Sequence, residues 1–487
     1  MRQDQTFGEC LTELLRRKRV SVADLTRRMN YRSKTSISRL LRDAVRYSSI
    51  EEFMHRLEPV GAWLFNGEEM NALRQAMEVS RLGRAQYRAY QDIWRLVSDG
   101  ERLRETGALE CFGDAQARTI YELAEIWREA DRLDMVLINM GFDGLFGELK
   151  ALLREKPGPS VSIRHYLLTP DAPGLLARQL NALLPILSDE RYRGYYLPWQ
   201  ESGVFGGTGS HHMAVTGEYA DGRRFTHILT MRSGEKGLLY ASGGEADIVR
   251  FFAHAIGGGY PEVVSFKTSY PCKELMNGLA DIGRQYLNCE RDRSSRCLTM
   301  NVCFELIPPE LLKRVMLEST LKGMAPENAQ VRELEEIHRA RYTNIHGKKK
   351  RSSFVFSREG LETFVRTGLA TDHIVGMRPF TPAERAEILR DVVRKCRENV
   401  YLTVRILKPS VRVRDMTLTV YEDLGVSLMD ARTGSDVLRG HSEAFFMLPD
   451  FAAVLTDFFR DELFDRHTCT EAESLEMMEA LAKSAEE

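Results

Sequence analysis

A chain of 487 residues with 43% hydrophobic and 28% charged content has material for two or three cored domains, which excludes a disordered or fibrous protein. The net charge of −2 hides an asymmetry: residues 1–57 carry 13 Lys and Arg against 7 Asp and Glu, a net +6, leaving −8 for the remainder. No apolar run approaches a membrane span, and the first apolar stretch is broken by Glu9 and Glu13, unlike a signal peptide, so a cytoplasmic protein without a membrane partner is expected.

In chain order, Phe7, Leu11, Leu14 and Leu15 form the stripe of an opening helix that ends in the basic run Arg16–Arg19, where the helix dipole favours cations. Val22, Leu25 and Met29 recur at helical spacing behind Ser21 as N-cap, and Asn30, tolerant of the left-handed conformation, closes that short helix. Ser33 caps the next one. Ile37, Leu40 and Leu41 are its buried stripe, while Lys34, Thr35, Ser36, Ser38, Arg39 and Arg42 offer hydroxyls and cations suited to phosphates and base edges.

This pair resembles the Xre type of helix-turn-helix, shared by Cro and the lambda-class repressors. Thr26 stands at that family's small inter-helix position, Asn30 replaces the usual turn Gly, and Ser36-Ile37-Ser38-Arg39 matches the reading helix. The turn Asn30–Lys34 is one residue longer than the family pattern, which shifts the register of base contacts by a position. The resemblance implies that double-stranded DNA is read by Arg32, Ser33, Lys34, Thr35, Ser36, Ser38, Arg39 and Arg42. A plain helical pair with a solvated face would explain the pattern too, but not the concentration of positive charge in this part of the chain.

Ser49 with Glu52 opens a further helix, and Pro59 and Gly61 punctuate the end of a DNA-binding domain expected over residues 1–66. A helical connector follows over 67–131. Its apolar faces, with Leu73, Met77, Tyr87, Tyr90, Ile93, Trp94 and Leu96, either pack on the next domain or join two copies; a homodimer suits a reader of paired half-sites. From residue 132 to 487 short Val, Ile and Leu runs alternate with amphipathic helices. These include an apolar run at 135–140, a helix after it, a strand near 160, an irregular stretch at 191–210, a hairpin turning at Asp221-Gly222, a strand over 297–306, and a helix opened by Thr381-Pro382. The expected fold is multidomain: an all-α helix-turn-helix domain and connector, then a large α/β region whose alternation allows two similar halves.

That region lacks familiar catalytic constellations. Gly203, Gly206, Gly207 and Gly209 lack the Lys-Ser/Thr of a P-loop, Ser210 lies outside any nucleophile elbow, and His211-His212 has no Glu at zinc-protease spacing. His346-Gly347-Lys348 is similar to the HxK of the phospholipase D class, in which His is the nucleophile. The Asp due five residues after the Lys is Ser353 here, and no second HxK occurs. Cys289, Cys297 and Cys303 fit no common zinc spacing and have no His nearby, so no metal is expected. Lys348–Arg351, with Arg339 and Arg341 near in sequence, is the one basic cluster outside the first domain, and Tyr192, Tyr195, Tyr196 and Trp199 either line a pocket or belong to the core.

These readings converge on a sequence-specific DNA-binding transcriptional regulator that is not an enzyme and needs no cofactor, its α/β region sensing a small-molecule or protein effector. The alternative is an enzyme of unreadable chemistry, such as a degenerate phospholipase D-like fold, carrying a targeting helix-turn-helix.

Overall fold

Side-chain caps, two of them anticipated in the sequence at Ser21 and Ser33, set the N-terminal helices of the computed structural model. Thr6 and Glu9 form a capping box at the start of α1 (Phe7–Lys18), the Ser21 hydroxyl accepts the Asp24 N–H at 3.1 Å to open α2 (Val22–Arg28), and Ser33 accepts the Thr35 N–H at 3.0 Å to open α3 (Lys34–Leu41). Asn30 takes a φ of 54°, the left-handed turn that separates α2 from α3. Two more helices follow, α4 (Tyr47–Gly61) and α5 (Gly67–Leu82). The structure describes residues 4–30, 33–61, 64–98, 113–138, 145–154, 158–169, 173–183, 186–187, 189, 191–198, 210–234, 237–242, 263–267, 272–325, 327–347, 350–374, 376–430 and 442–486.

One apolar core joins these five helices: Phe7, Leu11, Leu14, Leu25, Ile37, Leu40, Phe53, Leu57, Met70 and Leu73 are all buried in it, with Phe7 and Phe53 edge to face at 5.7 Å. Asp43, just past α3, accepts from the Gly8 N–H at 2.9 Å and the Thr6 hydroxyl at 2.5 Å, which ties the end of α3 to the start of α1. Because α5 supplies Met70, Leu73 and Ala76 to this core, the first compact unit extends past residue 66, over Met1–Trp94. Helix α6 (Arg84–Val97) runs across the boundary, and the second unit is Arg95–Glu487.

The second unit contains two mixed sheets with the same strand order. In the first, β1 (Ala130–Ile138), β2 (Ser160–Thr169) and β3 (Tyr192–Pro198) are parallel. From β1 the sheet continues antiparallel through β4 (Ser210–Tyr219), β5 (Arg224–Gly234) and β6 (Gly237–Ser242), in the order β3-β2-β1-β4-β5-β6. In the second, β8 (Ser295–Thr299), β9 (Ser352–Phe356) and β10 (Leu402–Ile406) are parallel, and β11 (Met416–Tyr421), β12 (Gly425–Asp430) and β13 (Ser442–Phe446) continue antiparallel from β8. Strand β7 (Val264–Lys267), from the chain between the halves, is added beyond β13. The α/β region therefore does consist of two similar halves.

Helices fill the crossovers. Helix α7 (Gly113–Glu129) precedes β1, α8 (Leu145–Arg154) joins β1 to β2, and α9 (Pro173–Leu183) joins β2 to β3. In the second half α10 (Cys272–Glu290) precedes β8. Two helices, α11 (Pro309–Glu318) and α12 (Ala329–His346), connect β8 to β9, and another two, α13 (Arg358–Thr367) and α14 (Pro382–Glu398), connect β9 to β10. After β13 come α15 (Pro449–Phe458), a π-helical stretch Phe459–His467, and α16 (Glu471–Glu486). Phe354, Phe356, Leu361, Phe364, Val392, Val404, Ile406 and Met478 build a core of this half, between sheet and helices.

The sequence reading departs from the structure in two strands. The stretch Tyr192–Pro198, expected to be irregular, is β3, and the strand expected through Leu306 ends at Thr299, after which Phe304–Leu306 is a short 3-10 turn. No described helix is long and apolar enough to cross a membrane.

Candidate functional site

In an open α/β sheet, ligands bind at the carboxyl ends of the parallel strands, where strand order reverses. In the second half that point lies between β8 and its neighbours, and a cleft of about 710 Å³ opens there. Met300 and Asn301 come from the end of β8, Ser357 and the first turns of α13 from the end of β9, and Lys408, Arg412 and Asp415 from the passage between β10 and β11.

Behind the lining, Asn301 is held by a buried hydroxyl and amide network. Thr299 and Thr417 place their hydroxyl oxygens 3.0 Å apart, and the Thr371 hydroxyl accepts the Asn301 N–H at 3.0 Å and donates to its side-chain oxygen at 2.9 Å. Ser357 caps α13 by accepting the Gly360 N–H at 2.9 Å, while its hydroxyl donates to the Met300 carbonyl at 3.2 Å. That helix start therefore faces the cleft with its positive dipole end.

Four cations line the walls. Arg358 is engaged by Glu362 at 3.0 Å, Arg366 donates to the Thr363 hydroxyl at 3.4 Å, and the Lys408 ammonium donates to the Arg466 carbonyl of the π-helical stretch at 2.7 Å. Arg412 is exposed at the rim, with Asp415 exposed beside it. Between them Arg414 turns outward, donating to Asn181 of α9 at 2.7 Å and to the Ser98 carbonyl at 2.7 Å, and so fixes this wall to the first half. Carboxylates from Glu359, Glu362 and Asp415 accompany the cations, so the cleft can both attract an anion and offer acid–base groups to it.

None of these residues stood out in the sequence. The only signal was positional: cations directly after the apolar strands, with a Ser cap between strand and helix at residue 357. The HxK is not brought to the cleft. His346 is the last residue of α12, buried and stacked on Tyr342 with ring centroids 4.0 Å apart, and burial pushes its imidazole down to about 4. Its carbonyl accepts from Asn399, just before β10, so it lies at the opposite edge of the sheet; Lys348 is outside the described residues.

Arg341, grouped in the sequence with the exposed basic loop, is instead buried. It pairs with Glu290 at 2.9 Å and Glu305 at 3.5 Å and lies over the Tyr286 ring at 3.9 Å. Tyr192 and Tyr196 are core residues: Tyr192 meets the buried His165 at 3.0 Å, and Tyr196 donates to the Phe445 carbonyl at 3.4 Å. Gly203, Gly206, Gly207, Gly209 and Trp199 lie outside the described residues, while His212 is buried in β4 opposite Ile138.

In the first unit, Ser33, Lys34, Thr35, Ser36, Arg39 and Arg42 are exposed on or beside α3, Ser38 is half-buried, and Ile37 and Leu40 point into the core. The Arg39 Nε donates to the Ala44 carbonyl at 3.3 Å. Thr26 is buried, its hydroxyl returned to the Val22 carbonyl at 2.6 Å, and Arg32 is outside the described residues.

Fold and cleft together define a two-halved α/β body with a cleft lined by both cations and carboxylates at the carboxyl ends of the parallel strands of its second half. No protein-family model and no curated protein matches the chain. Among solved structures, it is similar to a phosphatidylserine synthase from Haemophilus influenzae Rd KW20, at 12% identity and a TM-score of 0.25, over 82% of this chain and 98% of that one. It is also similar to a polyphosphate kinase from Porphyromonas gingivalis, at 10% identity and a TM-score of 0.24, over 76% of this chain and 52% of that one. Both are named as enzymes, and on that finding the expectation of a non-enzymatic chain is withdrawn. At these identities and scores the likeness carries no substrate and no residue role across.

Proposed function

We propose that the chain is an enzyme acting on a phosphate-bearing substrate in the cleft between β8, β9 and β10, and that its N-terminal unit delivers it to DNA. The observation that carries the first part is the meeting of the α13 N-terminus with Arg366, Lys408 and Arg412 around one cleft that also holds carboxylates. A phosphate would lie toward the helix start. Arg412, at the rim, neutralises a second charge, and Asp415 is the general base or acid, since among the described residues the cleft contains no His or Cys. The exposed polar face of α3, opposite its buried Ile37 and Leu40, supports the second part, with lysines and arginines supplying a salt-dependent phosphate attraction.

The test is turnover of a phosphomonoester and a phosphodiester, p-nitrophenyl phosphate and bis-p-nitrophenyl phosphate, by the full chain and by Lys408→Ala, Arg412→Ala and Asp415→Asn. The expected pattern is a higher KM in the two cation variants and a lower kcat in the Asp415 variant. Absence of turnover, together with no stabilisation of the wild type by inorganic phosphate, would reject the reading.

A further inference from the structure

Directly beneath the cleft, the chain that supplies Met300 and Asn301 to its floor is flanked by two thiols and a carboxylate. Cys297 lies in β8, Cys303 follows the Asn301 turn, and Glu305 lies in the 3-10 turn Phe304–Leu306. Their Sγ atoms and a carboxylate oxygen of Glu305 are all within 4.8 Å of one another, and the residues are 2%, 2% and 7% exposed. We infer that this cluster is a binding site for a thiophilic divalent cation of the zinc class, with Cys297, Cys303 and Glu305 as ligands.

The physical case begins with the donor set. Two sulfurs and one carboxylate suit zinc, whose sulfur bonds of about 2.3 Å place tetrahedral ligand atoms roughly 3.7 Å apart, so closing the cluster takes side-chain movement on the order of 1 Å. Asp372, nearby, has its carboxylate held by the Phe304 N–H at 2.9 and 3.1 Å, and the fourth position is left to a water.

A separate observation is the surrounding group of buried ionisable side chains. Glu290, Glu305 and Glu443 are buried in this part of the second half, and Arg341 is buried among them, paired to Glu290 at 2.9 Å. Arg341, 3.5 Å from Glu305, then acts from behind as the group that orients a ligating carboxylate.

Binding replaces the two thiol protons by metal–sulfur bonds and releases both protons to solvent, with no change of oxidation state. It also clamps both ends of the Met300–Asn301 turn, which links the ion to the shape of the cleft without placing it in contact with a substrate. Cys289 is no part of the set, since it packs with Tyr286, Tyr421 and Phe445.

The experiment uses the full-length protein purified without chelator. Metal content by mass spectrometry should show one zinc-class ion per chain, and replacement with cobalt(II) should give a thiolate-to-cobalt charge-transfer band. Both should be lost in Cys303→Ser, and Glu305→Gln, which keeps both thiols, should retain the band with cobalt affinity lowered at least about tenfold. If Cys303→Ser fails to fold, the cobalt spectrum of the wild type decides alone. A folded wild type that holds no metal and develops no cobalt–thiolate band overturns the proposal, as does a Cys297–Cys303 disulfide in the isolated protein.

Discussion

Gly360 in the first turn of α13 faces the carbonyl oxygen of Met300 so closely that a Cβ at Gly360 would stand 2.1 Å from it. The contact joins the two walls of the cleft, because both residues line it, and the obstacle is backbone rather than a side chain that could swing away. Gly360→Ala should therefore force α13 away from the end of β8, at a cost of about 2–3 kcal/mol. Urea unfolding measures the cost. A variant as stable as the wild type would show that the helix start shifts freely.

Glu443 on β13 is buried, hydrogen-bonded to the Tyr286 hydroxyl, and burial raises its carboxyl from about 4.5 to about 8. A carboxyl whose pKa is higher in the folded state binds its proton more tightly there, so folding is favoured at low pH and loses stability as pH rises from about 4.5 through about 8. Glu443→Gln should flatten that slope and be relatively more stable at pH 8 than at pH 5. Unfolding midpoints of both proteins across this range are the check, and parallel curves would count against it.

Glu384 works in the opposite sense. It closes the capping box of α14 with Thr381, pairs with Arg378 at 2.8 Å and Arg314 at 3.1 Å, and these partners, Arg378 foremost, hold its carboxyl down at about 2. Its contribution is present above the ordinary Glu value near 4.5 and is lost as pH falls toward 2. Glu384→Ala should cost about 2 kcal/mol at neutral pH and much less near pH 2, measured by denaturant titration at both.

If α3 reads bases, Arg39→Ala should weaken binding to a selected duplex by about 1–3 kcal/mol while leaving random duplex almost unchanged. Equal losses on both, with a shallower salt dependence, would make Arg39 a phosphate contact. Duplex selection from a random pool, followed by titration at two salt concentrations, separates the outcomes.

Most elements with strong periodicity were legible. Thr381-Pro382 announced α14, Asp221-Gly222 announced the β4–β5 hairpin, and the alternation from residue 132 left room for the two similar halves that the sheets form. Strand β3 was not, because its Tyr-rich run carries Gly194 and ends at Pro198, the punctuation of a loop. Yet Tyr192, Gly194 and Tyr196 turn inward with the period of two expected of a strand. Helix α16 escaped because its apolar Leu475, Met478 and Ala482 sit among small and acidic residues, and only packing against α14 and β10 reveals their face.

The cleft was illegible for another reason: Asn301, Ser357 and the Lys408–Arg412 segment are separated by dozens of residues and meet only because β8, β9 and β10 align their carboxyl ends. His346-Gly347-Lys348 shows the converse, since adjacent chemistry-bearing residues can fall where a helix ends and leave the imidazole in a dry core.

Strand β7 belongs by sequence to the passage between the halves but by pairing to the outer edge of the second sheet, where Val264–Lys267 covers the open side of β13. During synthesis it is made long before β13 exists and must wait, unpaired, for the last strand of the domain to emerge. A fragment begun at α10 would contain every element of the second half except this cover, leaving the β13 backbone N–H and C=O groups as a template for neighbouring chains. The boundary at which this protein can be cut into soluble pieces therefore lies upstream of residue 264, not at the helix that opens the second half.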